Sequence, residues 1–123
     1  MTGTVSPTDR LLIERYFRAM QTGAAAGDDI IDLFADDAVY IEPFGGAPAA
    51  HVGKDEIRRA FLESQAYAPA DMTVTLNRLD LEGDCIRSAW TCTSPALPHP
   101  MQGHDLWTIG AGKILRLETT FRT

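Results

Sequence analysis

Two acids and one phenol stand out in this 123-residue chain because their positions break the pattern set by their neighbours. Asp105 falls on the alternating row Met101, Gly103, Asp105, Trp107, Ile109, which reads as the buried face of a strand. Glu42 ends the run from Ala38 on the face of Tyr40, just before Pro43, whose ring keeps its predecessor extended. A carboxylate on an apolar face must pair or take up a proton. No Lys or Arg shares the row of Asp105. A raised pKa is therefore expected there, and a protonated Asp105 would donate a hydrogen bond at neutral pH. The alternative is an Asp105 bonded to a backbone amide or sitting at a sheet rim. Tyr16 lies on the helical stripe Leu12, Tyr16, Met20, and a buried phenol needs a partner. An ordinary core tyrosine bonded to a carbonyl is the alternative there. Phe61, Trp90, Trp107 and Phe121 fall on inward rows, where each serves either the core or a ligand-facing wall.

Period and punctuation give the elements that must hold these residues. Ser6-Pro7-Thr8-Asp9 is a helix start with Ser6 as cap, and its apolar stripe runs to about Gly23. Ala24 to Gly27 is a short link. Asp28 or Asp29 caps a second, short helix carrying Ile30, Ile31, Leu33 and Phe34, ended by Asp36-Asp37. Ala38 to Glu42 is a strand closed by Pro43 and Gly45-Gly46. Gly53 precedes a third helix, about Lys54 to Ala66. Met72, Val74 and Leu76 then alternate, but Leu79 and Leu81 are out of phase, which predicts a bulge near Asn77-Arg78.

Glu82-Gly83-Asp84 is a hairpin turn. Ile86, Ser88, Trp90 and Cys92 form the next inward row, and Ser94 to Pro100 is a proline-rich loop. Gly110-Ala111-Gly112 leads into a last strand with Leu115, Leu117, Thr119 and Phe121 inward and Arg116, Glu118 and Arg122 outward. Helices ahead of a strand meander mean a single α+β domain over residues 1–123. The expected architecture is a curved antiparallel sheet wrapped around helices, cone-shaped, with one apolar pocket.

Composition removes several functions. Eleven Lys and Arg against 17 Asp and Glu give a net charge of −6, with no basic footprint for nucleic acid and no attraction to an anionic membrane. No apolar run approaches the roughly 20 residues of a membrane span, and Met1 to Asp9 carries no secretory pattern. Cys85 and Cys92 are seven apart on one strand and so on opposite faces; no disulfide is expected, and the cytoplasm is the simplest setting. His51, His99 and His104 lack zinc-ligand spacing, so no metal is expected. Gly110-Ala111-Gly112-Lys113 joins two strands, which makes it a hairpin and not a phosphate loop.

Taken together, the residues resemble the bacterial ketosteroid isomerases, within the wider SnoaL-like and nuclear transport factor-like superfamily. The resemblance rests on Glu14-Arg15-Tyr16-Phe17, Leu33-Phe34-Ala35-Asp36-Asp37-Ala38, Glu42-Pro43-Phe44-Gly45, Asp105-Leu106-Trp107 and Gly110-Ala111-Gly112-Lys113-Ile114. It runs from about residue 10 to 122. It implies Glu42 as catalytic base, with Tyr16 and a protonated Asp105 as donors to an oxyanion, an arrangement that is itself a familiar worked case of carboxylate tuning. Trp107 and Phe121 fall on steroid-lining positions, with Phe61, Trp90 and Met20 completing the expected lining.

Three departures stand out: Glu replaces the usual Asp at the base position, Phe61 replaces a supporting tyrosine, and Ser94 to Pro100 replaces continuous strand. The expected activity is cofactor-independent transposition of a C=C bond into conjugation with a ketone, on a small hydrophobic ketone or steroid-like substrate, by a homodimer. A SnoaL-like cyclase, an epoxide hydrolase with Glu63 as second carboxylate, and a non-catalytic binder of hydrophobic ligands are the alternatives.

Overall fold

The first helix, α1 (Pro7–Gln21), starts where its cap requires: the Asp9 amide donates to Ser6 Oγ at 3.1 Å. It buries Leu12, Ile13, Tyr16 and Phe17. Its far end is clamped by Gln21, whose side chain donates to the Met72 carbonyl at 2.8 Å and accepts from the Val74 amide at 2.6 Å. The computed structural model describes residues 4–21, 28–43, 46–65, 69 and 71–122, with backbone alone at 28–29, 64–65 and 122. The expected helix end at Gly23, the link Ala24 to Gly27, the choice between Asp28 and Asp29 as cap, Phe44, Gly45, Ala66 and the outward Arg122 side chain lie outside the described residues.

Helix α2 (Asp28–Ile31) is a single turn, shorter than the sequence suggests. Strand β1 (Phe34–Glu42) takes over the residues assigned above to the helix end, including Asp36 and Asp37, which are exposed. The reason is tertiary: Phe34 pairs with Ile114, and the Ile114 amide donates to the Leu33 carbonyl at 2.8 Å. A short edge strand, β2 (Ala49–Val52), was not expected; it is mostly exposed and exists by pairing with β1. Helix α3 (Lys54–Gln65) follows Gly53, whose φ of +90° suits glycine at the corner.

The meander β3 (Thr73–Glu82), β4 (Cys85–Thr93), β5 (Met101–Gly110), β6 (Lys113–Arg122) is as the sequence indicates. One curved sheet results, in the order β2-β1-β6-β5-β4-β3. Every pairing is antiparallel except β1 with β6, which is parallel and joins the first strand to the last. Helix α1 packs on β3 and α3 on β1 and β2, so the helices cover one sheet face. No helix among the described residues is long and apolar enough to cross a membrane. Cys85 and Cys92 are free thiols.

The register shifts in three places: between Phe34 and Val39 where β1 meets β6, and at two sites in the meander that set which side chains face inward. The register slips between Leu76 and Arg78, at the bulge the sequence predicts. A second slip was not foreseen: Ile109 pairs with Ile114 but Thr108 pairs with Arg116, leaving Leu115 as an extra residue. Leu115 is therefore exposed and Ile114 takes its expected place in the core. Were the ladder continued from the turn without that slip, Glu118 and not Thr119 would stand opposite Asp105. Gly103 performs a comparable service on β5. A Cβ there would lie 2.3 Å from Trp90 Cζ2 and 2.5 Å from the Thr120 carbonyl oxygen, so only glycine lets the Trp90 indole lie across the strand. Gly103→Ala is expected to displace Trp90 and cost about 1–3 kcal/mol of stability, read by urea denaturation.

Candidate active site

Asp105 sits in the core, 3% exposed, on a face otherwise built from rings. Its charge is met by donors from both neighbouring strands. Ser88 Oγ donates to Oδ2 at 2.7 Å, Thr119 Oγ1 to Oδ1 at 2.8 Å, and Trp90 Nε1 to Oδ1 at 3.4 Å. The Ser88 proton is committed to Asp105 because Trp107 Nε1 donates to the same Oγ at 2.8 Å. The three contacts follow from register, since Ser88 and Thr119 are the cross-strand partners of Asp105 and Trp90 faces Gly103. Burial raises the Asp105 pKa to about 6, while the bonds from Ser88, Thr119 and Trp90 hold it from rising further. The expected elevation is present, but at neutral pH the resting group is chiefly the carboxylate. A carboxylate offers about four lone-pair sites and the three donors take three. A proton can therefore join Asp105 without displacing a partner.

Tyr16 and Tyr40 lie beside this group. Burial drives both phenols well above their ordinary pKa, with the Asp105 charge adding to each. Their hydroxyls share a hydrogen bond. Tyr16 also meets Trp107 edge-on, with ring centroids 5.0 Å apart. Tyr40 stacks on Phe61 at 4.8 Å and 13°. The hydroxyl missing at Phe61 is thus supplied from the strand beside it. Tyr40 also feels the charge of Glu42, two residues on along the same face of β1. Glu42 is 14% exposed, at the rim, and its Oε2 lies 2.9 Å from Nε2 of His51 on β2.

Glu42, Tyr40, Tyr16 and Asp105 therefore form a continuous set of coupled groups. The expected lining divides. Trp107 has no exposed surface and Phe61 has 3%, so both buttress the tyrosines from behind. Trp90 is buried over Gly103 and holds Asp105. Met20 and Phe121 are only half-buried and, with Met72, Leu97 and Met101, form apolar surface at the core's edge. The proline-rich loop contributes to that edge through Leu97, whose amide bonds back to the Ser94 carbonyl at 3.0 Å. Glu63, the partner that epoxide opening would need, is exposed on α3. A separate open cleft of about 520 Å³, lined by Arg78, Asp80, Arg87, Ala89, His104 and Phe121, lies chiefly over outward-facing side chains and away from the coupled acids and phenols. Among the described residues no three His, Cys, Asp or Glu side chains cluster to hold a metal.

Sequence reasoning missed Tyr40, His51, Ser88 and Thr119 as site residues. Ser88 and Thr119 were legible as small polar residues on inward rows. Their meeting with Asp105 depends on the register around Leu115.

The SnoaL-like domain family matches residues 13–117. The chain belongs to the SnoaL-like domain family. No curated protein matches it. Among solved structures, this SnoaL-like domain is similar to a ketosteroid isomerase candidate from Kribbella flavida, at 21% identity over 94% of this chain and 78% of that one, with a TM-score of 0.71. It is also similar to a polyketide cyclase candidate from Sinorhizobium meliloti, at 24% identity over 89% and 93% of the two chains, TM-score 0.72. TerC, co-crystallised with polyporic acid, shares 20% identity over 95% and 92%, TM-score 0.74. These likenesses establish the fold.

The raised Asp105 pKa fixes a sign. Its proton is held more tightly in the folded state than in the unfolded chain, so the stabilisation it brings is complete below about pH 4 and is lost as pH rises to about 6. Against Asp105→Asn, which cannot ionise, the wild-type SnoaL-like domain is expected to lose on the order of 3 kcal/mol across that window, with no further change above it. Denaturation of both proteins from pH 3.5 to 7.5 checks this.

Proposed function

We propose that the chain is a cofactor-independent isomerase that moves a C=C bond into conjugation with a ketone, of the Δ5- to Δ4-3-ketosteroid type, through a dienolate. What supports the reading is one observation: a rim carboxylate, two hydrogen-bonded phenols and a buried, satisfied aspartate interact with one another in turn. These are the groups that proton transfer next to a carbonyl requires.

Glu42 takes the proton between the carbonyl and the β,γ double bond, and the electron pair left behind moves onto the carbonyl oxygen. Glu42 returns the proton at the γ carbon, and the conjugated enone forms. At the rim it is placed to reach a substrate proton. The dienolate oxygen is met by donors. Tyr16 donates to it while the Tyr40 hydroxyl donates to Tyr16, an arrangement two phenols reach by rotating their hydroxyls with no heavy-atom movement. Asp105 donates from its fourth site when protonated, and a nearby oxyanion favours that protonation. Trp107 and Phe61 keep the phenols in place and water away. Met20, Phe121 and their apolar neighbours meet the hydrocarbon of a small hydrophobic ketone. The outward rows with Arg87, Thr91, Thr108, Arg116 and Glu118 form the face proposed for a homodimer, which light scattering measures.

A Δ5-3-ketosteroid is expected to be converted with a rise in enone absorbance. Glu42→Gln is expected to lower kcat by roughly 100- to 10,000-fold, and Tyr40→Phe to lower it less than Tyr16→Phe does. Binding of a phenol that mimics the dienolate is expected to weaken as pH rises through about 6 and to lose that dependence in Asp105→Asn. No turnover, or turnover indifferent to Glu42→Gln, contradicts the proposal.

A further inference from the structure

Glutamate at the base position carries one more rotatable bond than aspartate, and so has more rotamers open to it. In this fold a second element removes that freedom. Strand β2 pairs with β1 so that Ala49 stands opposite Glu42 and His51 opposite Tyr40. From there the imidazole reaches diagonally across the pair. Nε2 of His51 lies 2.9 Å from Oε2 of Glu42, with the two side chains only 21% and 14% exposed.

The ring has its own constraint, since it lies 6.1 Å from the Tyr40 ring at 31°, and Tyr40 is held against Phe61. Nδ1 of His51 has no protein partner among the described residues. A ring with its proton on Nε2 donates to the carboxylate. One lone-pair site of Glu42 is then fixed by a donor that is itself fixed.

We propose that His51 is the positioning residue of the Glu42 base, donating from Nε2 to Oε2 and so holding the longer carboxylate in one rotamer for proton abstraction. Only the naming of Glu42 as base rests on the isomerase reading. The extra methylene is then an adaptation and not a defect, because an aspartate would fall short of the imidazole. Glutamate and histidine act as a unit.

The test is a cycle of kcat and KM for a Δ5-3-ketosteroid in wild type, His51→Leu, Glu42→Asp and the double variant, with His51→Gln as the conservative control. His51→Leu is expected to lower kcat by up to about 100-fold, leaving KM within about twofold. His51→Gln, which keeps a donor, is expected to recover part of the loss. In the Glu42→Asp background His51→Leu is expected to change nothing further. Equal losses in both backgrounds, or a loss with KM rising in step, mark a merely structural histidine and overturn the proposal. Nitrogen-15 NMR of the free protein gives a substrate-independent reading. The expected spectrum has His51 protonated on Nε2, a preference that disappears in Glu42→Leu. A ring protonated on Nδ1 in the wild type overturns the proposal. If the wild type keeps the Nε2 proton but turns over no ketosteroid, the isomerase reading falls and the pairing of His51 with Glu42 stands.

Discussion

A carboxyl group held inside an aromatic core is the constraint on which the rest of this structure depends. Removing Asp105 from water without compensation would be prohibitive, since the free energy of an isolated buried charge exceeds the whole stability of a domain this size. The fold meets that cost locally, with Ser88 from one neighbouring strand, Thr119 from the other and the Trp90 indole across the glycine opening at Gly103. The arrangement is specific in its details. Trp107 commits the Ser88 proton to Asp105, and the bulge at Leu115 brings a threonine to the position that a second carboxylate would otherwise occupy. Like charges directly opposite on a sheet repel, so that single extra residue decides whether the site is tolerable.

The two acids occupy different environments, and the difference is useful. Glu42 lies at the rim on the strand next to the edge, against a largely buried histidine. Asp105 lies in the interior, where burial and its three donors pull its pKa in opposite directions. Tyr16 and Tyr40 span the gap between them with hydroxyls that can reverse. A site of this kind separates a carboxylate at the rim from a buried acid that gains its proton when negative charge appears beside it. That division of labour is the physical content of the isomerase reading. The fold alone would not supply it, because many chemistries share one architecture.

Much of this was legible in the residues. The inward rows of β4 and β5, the bulge near Asn77-Arg78, the Ser6 cap and the misplacement of Asp105 on an apolar face all follow from period and residue type. The parts that were not legible share one cause, which is pairing between segments distant in the chain. Phe34 to Asp37 read as a helix end because nothing local announces Ile114 as a parallel partner. Ala49 to Val52 has weak strand propensity and forms only against β1. The donors of Asp105 were visible as small polar residues, but their convergence on one carboxylate depends on register, and the register turns on one residue in a hairpin. The part Tyr40 plays depends likewise on tertiary contacts, its ring stacked on Phe61 and its hydroxyl bonded to Tyr16.

The central claim is that Tyr16 and Asp105 become joint donors to a single developing oxyanion. Proton NMR of the protein saturated with a phenol that mimics the dienolate measures this most directly. The account predicts two far-downfield hydrogen-bonded protons, one lost in Tyr16→Phe and the other in Asp105→Asn. A complex without such resonances, or one that keeps both through either substitution, would contradict it.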